Sequence, residues 1–143
     1  HKKDDAKAQY VSGTFRVFFG NATSWSDHAA DYVLALPHDV ALIAESHLLK
    51  SDMLRALKSA ANHGWTGTGS PAALSTTSRT GSSSGTLALV RAHWFSKPLS
   101  TCTDPLGKVA PGHRLAGRTI NIFKNEVLML IGYFEVGKGL QSI

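Results

Sequence analysis

Two polar residues stand where short apolar runs stop, and together their types fit one kind of chemistry. Phe15-Arg16-Val17-Phe18-Phe19 gives way to Gly20-Asn21, and Asp39-Val40-Ala41-Leu42-Ile43-Ala44 ends at Glu45. Aromatic and β-branched runs of this length read as strands. In an open α/β sheet the ligand crevice lies outside the carboxyl ends of the parallel strands, because the chain reverses there and polar loop ends face one another. If the two strands are neighbours, Asn21 and Glu45 share one rim. A carboxylate beside a neutral amide suits Mg²⁺ (or Mn²⁺), because Mg²⁺ keeps several waters and takes only one or two carboxylates. An ion there stabilises negative charge building on a phosphoryl group. Two plainer readings stand next to this one: Glu45 as a solvated carboxylate at a strand end, and Asn21 as the head of an Asx turn.

The elements that would position this pair can be read from the same sequence. Between the two runs, Ser24 to Leu36 carries Ala30, Val33 and Leu34 at helical spacing, with Ser26 or Asp27 as N-cap and Pro37 as the stop. After Glu45, Ser51-Asp52 reads as the cap of a second helix with Met53, Leu54, Leu57, Ala60 and Ala61 on one face, closed by Asn62-His63-Gly64. Strand, helix, strand, helix is a βαβα unit with its first two strands parallel and its crossover right-handed. The fold class is therefore α/β. Thr66-Gly67-Thr68-Gly69-Ser70-Pro71 and Ser78 to Gly85 are read as loops around a short strand at Ala73 to Thr77. Thr86 to Arg91 resumes strand character, and Phe95 to Pro111 is irregular. Arg118 to Phe123 and Val127 to Tyr133 then flank Lys124-Asn125-Glu126 as a hairpin.

Composition bounds the function classes. With 143 residues, 43% apolar and 17% charged, the chain has the make-up of one globular domain or part of one. A formal charge of +5 favours phosphate-bearing partners, yet the cations are scattered and no polybasic tract stands out. Cys102 is the sole cysteine, which excludes an internal disulfide and a cysteine-based zinc site and is what a reducing compartment tolerates. The seven histidines lack ligand spacing, and no Gly-Lys-Ser or Gly-Lys-Thr marks a P-loop. No apolar run reaches the length of a membrane span. The polar start His1-Lys2-Lys3-Asp4-Asp5 has neither Met nor a signal-peptide core, so residues 1–13 read as a polar extension and 14–143 as the domain proper.

The segments "GNATSW", "DVALIAESHL", "SSGTLALVR" and "GRTINIFKNEVLMLIGYFEVGKGL" occur in an order that resembles the front half of the endonuclease/exonuclease/phosphatase superfamily. That superfamily includes exonuclease III-type apurinic-site nucleases and the endonucleases of non-LTR retrotransposons. The resemblance runs from about Phe15 to Leu140 and implies the N-terminal half of a two-sheet α/β sandwich, βαβα followed by antiparallel strands. It also implies a Mg²⁺-dependent phosphodiester hydrolase acting on nucleic acid, DNA before RNA. Asn21 and Glu45 match the family's metal-site Asn and Glu, and Tyr133, in "LIGYFEVGKGL", matches its phosphate-contacting Tyr. Arg118, just ahead of its strand, is a candidate phosphate holder.

There are departures. Ala44 and Ser46 replace the usual Gln and Thr around the Glu, and the turn after Tyr133 lacks its usual Pro. The family's Gly-Asp-Phe-Asn-like motif and terminal Asp-His pair do not appear before Ile143. The resemblance makes those residues the source of further metal contacts and of the base that activates water. The expectation is therefore a truncated domain, inactive alone, with an apolar sheet face awaiting its second half or a partner. The rival readings are a non-catalytic remnant or phosphate- and nucleic-acid-binding module of the same fold, and a plain structural α/β domain.

Overall fold

The computed structural model describes residues 14–74, 82–99 and 115–132. Its centre is β2 (Val40–Ala44), four of whose five residues are buried because both its edges and both its faces are occupied. On one edge β1 (Val17–Asn21) pairs with it in parallel, Val17 opposite Val40 and Asn21 opposite Ala44. On the other lies β6 (Thr86–Arg91), antiparallel, and β3 (Trp65–Ser70) pairs antiparallel with β6. The strand order is β1-β2-β6-β3. Pairing with β2 carries the first strand through Asn21, two residues beyond the apolar run that announces it.

The crossover helix α1 (Asp27–Leu34) starts where the sequence predicts, with Ser26 Oγ accepting the Ala29 N–H at 3.1 Å. The second helix, α2 (Lys50–Asn62), corrects an expectation. Leu49 holds its N-cap position without a side-chain bond, and Ser51 and Asp52 lie inside the helix. Asp52 instead meets the positive end of the helix dipole and pairs with Arg55. At the far terminus Gly64, at φ +85, turns the chain out of the helix toward β3.

Residues of the four-stranded sheet alternate between two cores. Ala41, Ile43, Leu87, Leu89 and Trp65 pack under the helices with Val33, Leu34, Met53 and Ala60. Val40, Leu42, Ala88 and Val90 face a second sheet, where they meet Ala116, Ile120 and Ile131. That sheet consists of β7 (Ser96–Pro98), β8 (Leu115–Ile122) and β9 (Asn125–Gly132), all antiparallel, in chain order. A two-residue hairpin, β4 (Ala73–Leu74) with β5 (Ser82–Ser83), stands apart. The architecture is the α/β one expected: βαβα, then antiparallel strands in a second layer.

Two expectations need correction. The stretch from Thr66 to Ser70, read as a loop for its glycines, is strand β3, and the glycines are what permits it. A Cβ on Gly67 would stand 2.7 Å from Leu57 Cδ2 and one on Gly69 2.8 Å from Met53 Sδ, so α2 can lie this close only because both are absent. The last hairpin turns on Phe123 and Lys124, at φ 48 and 72, with Ile122 opposite Asn125, and not on Lys124-Asn125-Glu126. The four-stranded sheet is covered over β2 on both faces. The apolar surface left open lies elsewhere, at Leu128 and Leu130 on the outer face of β9 and at Val17 and Phe19 on edge strand β1.

The end of the sheet opposite Asn21 is closed by polar bonds. The buried Asp39 accepts from the Arg16 N–H at 2.8 Å and from Trp94 Nε1 at 3.0 Å. Burial lowers the pKa of the neighbouring His93, an effect that Asp39 partly offsets and Arg91 reinforces. No helix among the described residues is long and apolar enough to cross a membrane.

Candidate functional site

The parallel pairing of β1 with β2 puts Asn21 beside Ala44, so Glu45 follows one residue further along the same rim. Asn21 is exposed and Glu45 half-buried. The Asn21 amide oxygen accepts the Thr23 N–H at 2.9 Å, an Asx turn that fixes the side chain. A carbonyl oxygen has two lone pairs, so the turn orients this donor without exhausting it. Glu45 has no hydrogen bond or ion pair among the described residues.

The backbone of this rim is unusual. Thr23, Glu45, His47, Ser84 and Gly85 all have positive φ. The other left-handed residues among those described, Gly64, Phe123 and Lys124, end a helix or form a hairpin turn. Non-glycine residues held there cost free energy and persist only where the surroundings over-determine them, which is common at ligand sites. The loops are laced together: Ala22 N–H donates to Ala44 at 2.9 Å, Trp25 N–H to Ser46 at 2.8 Å, and Ala72 N–H to Leu48 at 2.7 Å. Beside Asn21 a mainly apolar cleft of about 230 Å³ opens between β1 and α1, lined by Phe18, Trp25, Tyr32 and Val33 among others.

Solved structures similar to this one share a single architecture. The chain superposes on an AP endonuclease, LMAP from Leishmania major, with a TM-score of 0.58 at 13% identity, over 85% of this chain and 40% of that one. It superposes on the endonuclease domain of TRAS1, a telomere-specific non-LTR retrotransposon, with a TM-score of 0.54 at 17% identity, over 90% of this chain and 49% of that one. The chain has the endonuclease/exonuclease/phosphatase fold. It spans less than half the length of these neighbours. No family model and no curated protein matches the sequence.

Within that fold, an Asn and a Glu closing neighbouring parallel strands offer an oxygen set that fits a largely hydrated Mg²⁺. Among the described residues no group of three or more His, Cys, Asp or Glu could hold a metal ion by itself. Tyr133 lies outside the described residues. Arg118 is placed differently from the phosphate holder expected of an exposed strand start: it is 5% exposed, inside the sandwich. Its Nη1 donates to Thr68 Oγ1 at 2.7 Å, and its Nε and Nη2 donate to Ser96 Oγ and O at 3.0 and 3.3 Å, bracing one sheet against the other. Burial lowers its pKa. Arg118→Ala is expected to lower stability by about 2–3 kcal/mol in urea unfolding, the cost of leaving buried acceptors unpaired. An unchanged midpoint would contradict the bracing role.

Ser84 and Gly85, part of a loop by sequence, support the Glu45 segment through their backbone. Ser46 N–H donates to the Gly85 carbonyl at 3.0 Å and His47 N–H to the Ser84 carbonyl at 2.9 Å. The signal in the sequence was a glycine directly before a buried strand, where a close backbone approach is common.

Proposed function

We propose that this chain supplies one half of a Mg²⁺-dependent phosphodiester hydrolase that acts on nucleic acid, DNA in the first instance. The observation that supports it best is the placement of Asn21 and Glu45 at the carboxyl ends of adjacent parallel strands, in a fold shared with an AP endonuclease and a retrotransposon endonuclease domain. Glu45 provides the anionic oxygen and Asn21 the neutral one, the latter held by its turn to Thr23. Mg²⁺ bound between them would neutralise charge developing on the phosphoryl oxygens. Tyr133 is the proposed phosphate contact. With Glu45 engaged at the cation, Tyr133 at the phosphate and Asn21 carrying no titratable group, the base that takes the proton from water would come from the second half of the domain.

The same second half is the proposed cover for the open apolar surface. Among the described residues β9 ends its sheet and lies over β6 and β2, one strand short of β1, whose Val17 and Phe19 share the face of Val40 and Leu42 and are 41% and 65% exposed. A further strand laid along β9 would bury them and remove the edge. The test is plasmid nicking by the complete product of the gene: nicking that requires Mg²⁺ and stops with a chelator is expected. A product that binds DNA yet never nicks it at any Mg²⁺ concentration would overturn the enzyme reading in favour of a non-catalytic module.

A further inference from the structure

The left-handed residues around Glu45 belong to one clamp. Ser46, the next residue, is fully buried. On one flank its N–H and that of His47 donate to the carbonyls of Gly85 and Ser84, at 3.0 and 2.9 Å. On the other flank the Ser46 carbonyl accepts from the Trp25 N–H at 2.8 Å. Its hydroxyl accepts the Leu48 N–H at 3.4 Å. No slack remains: a Cβ on Gly85 would stand 2.5 Å from Ser46 Oγ, 3.2 Å from His47 N and 3.3 Å from Ala72 N. Gly85 itself is at φ +86, which a side chain would strain.

We infer that Ser46 and Gly85 are positioning residues for Glu45, holding Glu45 and His47 at positive φ on either side of Ser46 and so fixing where the carboxylate leaves the backbone. The inference rests on the reading of Glu45 as a metal ligand. Released from the clamp, Glu45 would relax from φ +54 toward an ordinary conformation, and its carboxylate would no longer be pre-set for an ion. Were the clamp only a way to close the sheet, loosening it would lower stability and leave ion binding alone.

Glycine supplies an internal control. Gly64, at φ +85, carries the same backbone requirement as Gly85, but among the described residues a Cβ there meets only Arg91 Nη1, at 3.9 Å, away from the rim. The experiment is a Mn²⁺ titration of the ¹⁵N-labelled chain, following paramagnetic broadening of the Asn21 and Glu45 amides. Gly85→Ala is expected to raise the half-saturating Mn²⁺ by about tenfold, the scale on which loss of a residue supporting a ligand weakens a metal site. Gly64→Ala should leave it unchanged. Equal shifts in the two variants, or none in Gly85→Ala, overturn the inference. Should Gly85→Ala fail to fold, Ser46→Ala takes its place, and a half-saturating Mn²⁺ equal to that of the unaltered chain overturns it likewise. Glu45→Gln separates the two levels: if it leaves the broadening unchanged, the metal reading fails first and the clamp's role with it. If it abolishes the broadening and Gly85→Ala does nothing, only the clamp fails.

Discussion

Glu45→Ala in the complete gene product is expected to cut Mg²⁺-dependent nicking by about a thousandfold, roughly 4 kcal/mol of barrier, with little change in melting temperature. The size follows from what a metal contributes to charge stabilisation, several kcal/mol that are lost with an anionic ligand. The separation from stability follows from the surroundings. Glu45 is half-buried and forms no hydrogen bond or ion pair among the described residues, so its removal leaves no orphaned partner. Its backbone adds a sharper form of the test. At φ +54 a non-glycine residue carries on the order of 1 kcal/mol of strain, which glycine would relieve. Glu45→Gly should therefore lose activity as Ala does and yet be no less stable, despite the greater freedom of its unfolded chain. A residue strained in this way and without a side-chain partner among the described residues is one whose conformation points to a role other than folding. Undiminished nicking by either variant would refute the metal assignment.

The features that were legible in the sequence are those fixed by local pattern. β2 is announced by an unbroken apolar run because both of its faces are covered, and α1 by Ser26 because its hydroxyl is the capping group. The rim position of Asn21 and Glu45 follows from strands ending at polar residues and needs no tertiary information beyond their adjacency. What was misread depends on contacts between distant segments. Gly67 and Gly69 look like a loop until Leu57 and Met53 of α2 are seen to occupy the space of the missing side chains. Phe123 and Lys124 are poor turn residues by composition, and it is the register of Ile122 on Asn125 that forces them into left-handed backbone. Arg118 resembles an exposed cation from its place at a strand start. Only the packing of one sheet on the other turns it inward, to Thr68 and Ser96. The Ser46–Gly85 clamp is the same case at the site itself, since nothing in the order of residues says that the loop before β6 will rest on the loop after β2.

Trp65→Ala is expected to be the most destabilising of these substitutions, costing about 3–5 kcal/mol. Trp65 is the largest fully buried side chain among the described residues, standing where α1, α2 and the sheet converge. It is also a polar tie: its Nε1 donates to the Leu34 carbonyl at 3.1 Å, satisfying one of the groups left open at the end of α1. The Arg91 guanidinium lies 4.0 Å from its ring centroid while donating to the carbonyls of Leu36 and His38. Truncation would thus open a cavity and leave the Leu34 carbonyl without its donor, with a further loss from the cation–π contact. Against a total stability of about 5–15 kcal/mol for a domain this is a large share, and it should lower the urea midpoint at an unchanged slope. Trp65→Phe isolates the polar part, keeping most of the volume but not the N–H, and should cost about 1–3 kcal/mol. Phe19→Ala is the contrast. At 65% exposure it should cost no more than about 0.5 kcal/mol in this chain. In a product whose second half covers β1, the same substitution should cost more than 1 kcal/mol, because the ring would then be buried. Equal and small costs in both proteins would mean that nothing is laid over β1, and the covering strand proposed beside β9 would have to be abandoned.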